Sequence, residues 1–347
     1  MRAIQYLGVN QVEHTEVGRP MITRGHVLLR VAAAGICQTD IHIRAASEQM
    51  IPTGVVLGHE IAGHVVERAD GVDNLSLDDL VVVHPVWSCG RCRQCIAGRE
   101  NACLNTGGRM YPAATPGISV DGGLAEFVTV PASALVPAAG LDPALAAVLP
   151  DAGLVPYHSI NAVKDTLRPG STAVVIGMGG LGQFAVELLR ALTSVRIIAL
   201  DVKEAALAAV RHKVDYTFVS GSSNVAAQVM EAAGGYGADF VLDLVGSSTT
   251  LQLAGAVIAP YGAIRVPGLS DGVFKFETSQ LSTSLPWGAS ITRPYSGTYQ
   301  DLHDLVALAQ TGQININLVR YNFDEALRAF DDLEAGKING RAVVMTG

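Results

Sequence analysis

The fold is decided by residues 171–182, which read STAVVIGMGGLG. A β-branched run leads into a G-x-G-x-x-G turn, and an apolar, helix-compatible stretch follows over 183–192. In this context the first glycine allows a tight turn, the second lets the backbone approach a pyrophosphate, and the third lets helix and strand pack closely. The helix N-terminus then faces the phosphates, so the stretch predicts a dinucleotide-binding turn. The expected cofactor contacts in it are Gly177, Gly179, Gly180, Leu181 and Gly182.

A carboxylate follows at the distance that a ribose contact requires. The next strand candidate, IIAL, ends at Asp201, nineteen residues after Gly182. An acid at this position hydrogen-bonds to the ribose hydroxyls and repels a 2′-phosphate, which favours NAD over NADP. The neighbouring Lys203 softens that preference. The alternative is a glycine-rich turn of another α/β fold that binds a different nucleotide.

Strand and helix candidates alternate from about residue 154 onward. This alternation predicts an α/β region with a parallel, doubly wound sheet. The first third of the chain instead contains short, turn-interrupted strand candidates and is β-rich. The tail carries two helical patterns and a final RAVVMTG strand. The strand candidates of the alternating region are Thr172–Ile176, 196–200, 240–245 and 263–266, and its helical stretches include 183–192 and Glu204–Val210.

Length and charge exclude several classes of protein. A chain of 347 residues suggests about two domains. The formal net charge of −8 lacks the basic footprint of a nucleic-acid-binding protein. No apolar run is long enough to cross a bilayer. The opening MRAIQYLGVN has polar Gln5 and Asn10 where a signal peptide is apolar, so we expect a cytoplasmic protein.

Four of the five cysteines are crowded into the segment CGRCRQCIAGRENAC. Their spacing, C-x2-C-x2-C-x7-C, places soft thiolate ligands on a turning loop, as tetrahedral zinc requires. Four sulfurs leave no open coordination position, so the predicted site is structural. An iron–sulfur cluster, or four unrelated free or paired cysteines, are the alternatives. The predicted ligands are Cys89, Cys92, Cys95 and Cys103.

Two further stretches contain potential zinc ligands. They read GICQTDIH over 35–42 and GHEIAGHVV over 58–66, and they contribute Cys37 and His59. Taken singly, each residue has an ordinary explanation, because Cys37 suits a buried apolar position and His59 suits a hydrogen-bonded loop. Their combination with a hydride-carrier fold favours a metal site.

These motifs, with DGGLAEF over 121–127 and a terminal GKINGR, resemble the zinc-containing alcohol dehydrogenase family of the medium-chain dehydrogenase/reductase superfamily. The resemblance covers nearly the whole chain. It implies a GroES-like, β-rich catalytic domain with two zinc sites, formed by residues 1–153 and 296–347. It also implies a Rossmann NAD-binding domain over 154–295.

The resemblance implies that Cys37, His59 and a third group bind a catalytic zinc whose fourth position takes water or the substrate oxygen. Many relatives use a second cysteine as the third group, but none is left here. The matching stretch, LPDAGLVPYHS over 149–159, offers Asp151, as in a subgroup that includes bacterial secondary-alcohol dehydrogenases. The alternative is that Asp151 caps the helix that follows it.

The resemblance also assigns roles beside the metal. Glu60 lies next to it, and Asp40 orients the histidine ligand. Thr39 accepts the alcohol proton by hydrogen bond, and the proton passes through the ribose of the cofactor to His42 and solvent, since histidine titrates near neutral pH. The alternative for His42 is an ordinary surface-loop histidine.

The resemblance also assigns residues that contact the cofactor and the substrate. Arg341 corresponds to a pyrophosphate contact, Val245 lies near the adenosine, and the backbones of Leu269 and Ser296 meet the nicotinamide carboxamide. Ordinary strand-end packing is the alternative for each. Bulky side chains in the pocket would favour an apolar substrate over a polyol, although a tryptophan can equally serve core or interface packing. The expected pocket residues are Pro85, Trp87, Trp287 and Tyr295.

The resulting hypothesis is an NAD-dependent, zinc-dependent enzyme that reversibly oxidises alcohols, with apolar secondary alcohols preferred and primary ones also accepted. It would contain two zinc ions per chain and form a homo-oligomer, with a tetramer favoured over a dimer. A polyol or threonine dehydrogenase on the same scaffold is the second hypothesis. A non-catalytic protein that binds zinc and NAD is the third.

Overall fold

The structure is a computed structural model that describes residues 1–279 and 284–346. The chain divides into two compact units. The first unit comprises Met1–Leu154, Ser296–Gly312 and Ile316–Gly347, and the second comprises Val155–Tyr295 and Gln313–Asn315. No helix in the described part of the chain is both long enough and apolar enough to cross a membrane.

The strands are numbered along the whole chain. The first seven are β1 Arg2–Gly8, β2 Gln11–Glu16, β3 His26–Ile36, β4 Glu60–Arg68, β5 Leu80–Val83, β6 Phe127–Pro131 and β7 Leu135–Pro137. The others are β8 Thr172–Ile176, β9 Arg196–Asp201, β10 Tyr216–Val219, β11 Ala238–Asp243, β12 Ile258–Arg265, β13 Ser290–Thr292, β14 Leu318–Asn322 and β15 Arg341–Met345.

The α-helices are numbered in the same way. They are α1 Gln38–Ala45, α2 Arg93–Ile96, α3 Pro143–Val148, α4 Leu154–Asn161, α5 Gly180–Leu192, α6 Glu204–Val210, α7 Val225–Ala232, α8 Ser248–Val257, α9 Tyr299–Gln310 and α10 Ala326–Glu334. A π-helical stretch, Leu149–Gly153, separates α3 from α4. Short 3-10 helices lie at Glu100–Ala102, Ala132–Ala134, Lys164–Thr166, Arg211–Lys213 and Phe323–Glu325.

The first unit is built on a seven-stranded sheet. Its order is β14-β15-β3-β4-β5-β7, and β6 also pairs with β3. Strands β3 and β4 are antiparallel, with Gly35 opposite Glu60. Alternate residues of β3, such as Val27, Leu29 and Val31, enter one apolar core because successive strand side chains point to opposite faces. The end of β3 and the start of β4 therefore meet at one edge of the sheet.

The second unit contains a six-stranded sheet whose order is β10-β9-β8-β11-β12-β13. All its neighbouring strands are parallel. Strand β8 is buried on both faces, as expected for a sheet covered by crossover helices. The order reverses between β8 and β11, which is where such folds bind dinucleotides. The predicted doubly wound α/β fold is thereby confirmed.

Candidate functional site

Two groups of potential metal ligands lie in the first unit. Within each group, the ligand atoms all lie within 4.8 Å of one another. The first group, called the four-cysteine cluster, is Cys89, Cys92, Cys95 and Cys103. The second group, called the mixed cluster, is Cys37, His59, Glu60 and Asp151.

The four-cysteine cluster brings its sulfurs together on a short loop. The Cys92 and Cys95 sulfurs are 3.5 Å apart, and those of Cys89 and Cys95 are 3.9 Å apart. The backbone N–H of Cys89 donates to Cys103 Sγ over 3.4 Å, and that of Cys92 donates to Cys89 Sγ over 3.4 Å. All four cysteines are free of disulfides. Backbone donors aimed at sulfur favour the thiolate form, which is the form that binds metal.

The pKa values of these thiols show the same tendency. Backbone hydrogen bonds lower the pKa of Cys92 to about 7. For Cys103, burial opposes ionisation, but hydrogen bonds from Thr106 and from backbone groups lower its pKa to about 5. Burial and the neighbouring thiols raise the pKa of Cys95 to about 11. The hydrogen bonds within the protein therefore favour the thiolate form of Cys92 and Cys103, but not of Cys95. Four thiolates would fit a closed zinc site.

The mixed cluster depends on the register between β3 and β4. Cys37 follows β3 directly, and His59 directly precedes β4. Because Gly35 lies opposite Glu60, both ligands extend from the same edge of the sheet. Cys37 is also the N-cap of α1, so it stands where one strand ends and a helix begins.

The third ligand candidate comes from the π-helical stretch Leu149–Gly153. Asp151 Oδ2 lies 3.3 Å from Cys37 Sγ and 3.7 Å from His59 Nε2. The preceding helix α3 starts at Pro143 and has Asp142 as its N-cap, while Asp151 lies inside the helical segment. The interpretation of Asp151 as a helix cap is therefore wrong. Single π-helical turns are often found at functional sites.

Glu60 occupies a fully buried position beside the ligands. Its Oε1 accepts a hydrogen bond from Arg341 Nη2 over 2.5 Å, while its Oε2 has no partner among the described residues. A Cβ atom at position 35 would overlap Glu60 Oε2, so only glycine fits there. Arg341, which is 4% exposed, also donates to the Ile36 carbonyl. This buried guanidinium balances the negative charge of the cluster.

Three more predicted residues lie close to the cluster in sequence. Asp40 Oδ2 accepts a hydrogen bond from the Cys37 backbone N–H over 2.8 Å, and its Oδ1 lies 3.6 Å from His59 Nδ1. Thr39 Oγ1 lies 3.8 Å from Cys37 Sγ. His42, on the same helix, is exposed to solvent. Asp40 is thus placed to orient the His59 ring, and the proton path from Thr39 to His42 stays a prediction.

Burial and neighbouring charges shift the pKa values of all four side chains of the mixed cluster. Burial and the Asp151 charge raise the pKa of Cys37. Burial also raises the pKa of Glu60 to about 7, although Arg341 opposes this. Burial would raise the pKa of Asp151, but the His59 ring 3.7 Å away and the Arg341 charge outweigh it and lower the pKa to about 2. Burial would lower the pKa of His59, but the Asp40 and Asp151 carboxylates, 3.6 and 3.7 Å from its ring nitrogens, raise it well above its usual range.

The donor set fits a divalent metal of the zinc type. It offers one sulfur, one nitrogen and one carboxylate oxygen within bonding reach of a common centre, with a second carboxylate beside them. The unpartnered Glu60 Oε2 supports the same interpretation, since a buried carboxylate oxygen without a donor is costly unless a cation is near. Three protein ligands would leave a coordination position open.

The glycine-rich turn of the second unit has the predicted geometry. Gly177 has a φ of +96°, which favours glycine, and Gly179 is the N-cap of α5. A Cβ at Gly182 would overlap the Gly177 carbonyl oxygen, whereas a Cβ at Gly179 would meet nothing within 4 Å. The third glycine thus permits close packing, and the space at the second is open, as a pyrophosphate requires.

Asp201 ends β9 next to this turn. Its Oδ2 accepts the Met178 backbone N–H over 2.7 Å, and its Oδ1 accepts the Lys203 backbone N–H over 2.8 Å. Each carboxylate oxygen can accept a further hydrogen bond, so both remain able to bind ribose hydroxyls. Val245 packs against the turn, because a Cβ on Gly177 would lie 2.9 Å from Val245 Cγ2.

The remaining expected contacts are spread over the two units. Leu269, in the second unit, is largely exposed, and Ser296, in the first unit, has a φ of +48°. Arg341 pairs with Glu60 and donates to the Ile36 carbonyl, and its expected pyrophosphate contact stays a prediction.

The expected substrate-pocket residues are in different environments. Trp87 lines a cavity of about 340 Å³ in the first unit, and no residue of the mixed cluster is among the lining residues of that cavity. Pro85 is buried, Trp287 is 80% exposed, and Tyr295 is 40% exposed. The geometry within each unit therefore does not test the expected substrate pocket, which stays a prediction.

Comparison with protein families connects the two units to known domains. The sequence pattern of the alcohol dehydrogenase GroES-like domain matches residues 23–140, and that of the zinc-binding dehydrogenase domain matches 180–311. An NAD-dependent alcohol dehydrogenase of Sulfurisphaera tokodaii is 31% identical and covers 99% of this chain and 100% of its own length. D-arabinose 1-dehydrogenase (NADP(+)) of Saccharolobus solfataricus is 30% identical, covering 92% of this chain and 89% of its own.

Solved structures show the same relationship. The alcohol dehydrogenase of the hyperthermophilic archaeon Aeropyrum pernix has a TM-score of 0.89 and 31% identity, covering 100% of both chains. Acetophenone reductase of Geotrichum candidum, solved with NAD, has a TM-score of 0.86 and 28% identity, covering 99% of this chain and 96% of that one.

The chain belongs to the zinc-containing alcohol dehydrogenase family of the medium-chain dehydrogenase/reductase superfamily. Within that class, it is an NAD-dependent alcohol dehydrogenase. The expected pairing of a GroES-like domain with a Rossmann domain is confirmed.

Sequence reasoning missed three features of the mixed cluster. The pairing of Arg341 with Glu60 joins residues 281 positions apart, so no local signal indicates it. The π-helical turn that carries Asp151 has no simple sequence signature. The need for glycine at position 35 follows only from the packing of Glu60 in the folded chain, although Gly35 stands in the GICQTDIH motif.

Proposed function

We propose that this enzyme catalyses the zinc-dependent, reversible oxidation of apolar secondary alcohols to ketones, and of primary alcohols to aldehydes, with NAD as hydride acceptor. The observation that carries the proposal is the mixed cluster. Cys37, His59 and Asp151 offer one sulfur, one nitrogen and one oxygen donor, and three such ligands would leave one position of a tetrahedral zinc open, which is the pattern of catalytic zinc.

Two zinc ions per chain follow from the two clusters. The four-cysteine cluster would hold a structural ion, and Cys37, His59 and Asp151 would hold the catalytic one. When bound there, zinc supplies a Lewis acid that lowers the pKa of the alcohol hydroxyl toward neutrality. Glu60 stands beside these ligands as an additional carboxylate, and Arg341 limits its negative charge.

The side chains of α1 handle the proton. Asp40 keeps the His59 ring in one orientation. Thr39 accepts the proton of the alcohol by hydrogen bond, and His42 delivers it to solvent. When bound, NAD⁺ would supply the hydride acceptor, so that one alcohol and one NAD⁺ would give one ketone, one NADH and one proton.

The cofactor would bind through the residues that the turn and its neighbours provide. The pyrophosphate lies on the glycine-rich turn, and Asp201 accepts the ribose hydroxyls and disfavours a 2′-phosphate. Val245 would contact the adenosine, while Leu269 and Ser296 would contact the nicotinamide carboxamide.

Two relatives bear on the substrate. The name of acetophenone reductase indicates an aryl ketone, whose reduction gives an apolar secondary alcohol, and this supports the main proposal. The name of D-arabinose 1-dehydrogenase supports a polyol or sugar substrate as the second candidate. The expected pocket residues Pro85, Trp87, Trp287 and Tyr295 favour the apolar alternative.

A substrate panel with metal analysis on the same sample tests the proposal. We expect NAD-linked turnover of 2-propanol and 1-phenylethanol, slower turnover of ethanol, and two zinc ions per chain. Strong turnover of sorbitol, D-arabinose or threonine without turnover of 2-propanol would reverse the choice. NAD binding without any turnover would indicate a non-catalytic protein.

Two smaller proposals accompany the main one. A His42→Gln variant should lose rate at low and neutral pH, and unchanged rates at both would remove His42 from the proton path. By resemblance alone, we propose a homo-oligomer with a tetramer favoured over a dimer, which light scattering after size-exclusion chromatography tests.

A further inference from the structure

The four-cysteine cluster is linked to a backbone turn that lies far from it in sequence. The turn, residues 296–299, starts the part of the chain that re-enters the first unit. Two side chains hold it. Glu100 lies inside the cysteine loop, between Cys95 and Cys103, and His84 lies five residues before Cys89.

Glu100 binds the first residue of α9. Its Oε1 accepts the backbone N–H of Tyr299, a donor that has no partner within the helix. The capping box of α9 is complete without Glu100, because Thr298 Oγ1 accepts the Asp301 N–H and Asp301 Oδ2 accepts the Thr298 N–H. A carboxylate at a helix N-terminus is also favoured by the helix dipole. Glu100 therefore fixes the start of α9 to the cysteine loop.

His84 binds the same turn from a buried position, with 1% of its surface exposed. Its Nε2 lies 3.1 Å from the Gly297 carbonyl oxygen, and its Nδ1 lies 3.1 Å from the Val86 carbonyl oxygen and 3.3 Å from the Val86 backbone nitrogen. A carbonyl oxygen can only accept, so His84 holds Gly297 in the tautomer that carries its proton on Nε2. The ring also packs edge-to-face on Tyr299, with the centroids 6.1 Å apart.

The turn is in a conformation that needs such support. Ser296, immediately before Gly297, has a φ of +48°. Left-handed backbone at a residue other than glycine costs on the order of 1 kcal/mol or more and persists where the surroundings impose it. The Ser296 hydroxyl has no hydrogen-bond partner among the described residues. The nearest side-chain contacts described for this turn are those to the backbone of Gly297 and Tyr299.

We propose that Glu100 and His84 are positioning residues that hold this turn in the conformation that binds the nicotinamide end of NAD. The cysteine loop thus serves cofactor binding, in addition to stabilising the fold. The inference rests on the proposed function, which assigns the Ser296 backbone to the nicotinamide.

The test compares Glu100→Ala with Glu100→Gln and with Arg99→Ala, a change at the exposed neighbour. The measurements are the Kd for NAD by calorimetry, KM and kcat for each substrate, zinc per chain, and hydrogen exchange at the Tyr299 amide. For Glu100→Ala we expect faster exchange, about a tenfold higher Kd and KM for NAD, and unchanged zinc and alcohol KM. Glu100→Gln keeps an acceptor oxygen and should restore most of the affinity, and Arg99→Ala should match the wild type.

Faster exchange at Tyr299 with an unchanged Kd for NAD would overturn the proposal, and so would an equal loss in Arg99→Ala. If Glu100→Ala loses zinc or fails to fold, His84→Phe tests the turn from outside the cysteine loop. It should weaken NAD binding with zinc retained, and an unchanged Kd would overturn the proposal. Because binding and exchange are measured without alcohol, a protein that binds NAD but oxidises no alcohol contradicts the proposed function alone.

Discussion

The four-cysteine cluster and the mixed cluster differ in how the chain assembles them. The four sulfurs come from one loop of fifteen residues, so their spacing alone brings them together. In the mixed cluster, Cys37 and Asp151 lie 114 positions apart, and His59 comes from a third element. The four-cysteine cluster is therefore encoded locally in the sequence, whereas the mixed cluster depends on the whole fold of the first unit.

The two clusters also differ in their surroundings. Cys89, Cys92 and Cys95 are partly exposed, whereas Cys37 and His59 are buried. The mixed cluster contains a second carboxylate, Glu60, that is charge-balanced by a buried arginine. Burial strengthens electrostatic interactions, so a metal in the mixed cluster acts more strongly on a substrate than one in the loop.

Replacing Cys37 by alanine should have the largest effect. It removes the one thiolate outside the cysteine loop, so we expect zinc to fall from two ions to one per chain. We expect kcat/KM to fall roughly 10³-fold, since Lewis-acid assistance is worth several kcal/mol. Elemental analysis and steady-state kinetics measure both. Full zinc with near-normal activity would mean that the mixed cluster is not the catalytic centre.

Replacing Asp151 by alanine should have a smaller effect on rate, about 10²-fold, because Glu60 remains beside the site. Zinc should again fall toward one per chain. Asp151→Cys supplies a thiolate and should retain zinc. Asp142→Ala, at the N-cap of the same helical segment, should cost about 1 kcal/mol of stability without loss of metal. Two full zinc ions in Asp151→Ala would refute the ligand assignment.

The burial of each strand determines how well the sequence predicts it. Strands β8, β9 and β11 are buried, so their apolar runs in the sequence predict the parallel sheet. The edge strands Tyr216–Val219 and Ser290–Thr292 are not predicted, because they are short and none of their residues is fully buried. Sequence patterns report burial, and edge strands are little buried.

The same limit applies to the site. The spacing of the cysteines is sufficient to predict the four-cysteine cluster. Asp151 is predicted as a zinc ligand from the family resemblance and from the lack of a further cysteine. The bond between Glu60 and Arg341 and the requirement for Gly35 arise only when β15, β3 and β4 become neighbours in one sheet. Contacts between distant segments have no period in the sequence, so no single-chain pattern could reveal them.

The residues that contact the predicted zinc ligands should also differ in importance between the two clusters. Asp40 is buried, accepts the Cys37 backbone N–H and lies 3.6 Å from His59 Nδ1, so Asp40→Asn should lower metal affinity or activity about 10- to 100-fold. Asn105 is its counterpart in the loop, where its Nδ2 donates to Cys89 Sγ over 3.2 Å at an exposed position. Asn105→Ala should change kcat/KM less than about threefold, which is under about 1 kcal/mol. Chelator competition and kinetics compare the two, and equal losses would remove the distinction between buried and exposed clusters.

Breaking the four-cysteine cluster itself should have the smallest effect on the chemical step. In Cys92→Ser, a sulfur that lies 3.5 Å from Cys95 Sγ is replaced by a poor zinc ligand, so one zinc per chain should be lost. With NAD saturating, kcat should stay within about threefold of the wild-type value, because no ligand of the mixed cluster changes. Thermal stability should fall and KM for NAD should rise, since Glu100 is no longer fixed beside Tyr299. A loss of kcat as large as that of Cys37→Ala, with the mixed-cluster zinc still present, would mean that the closed cluster takes part in the chemistry.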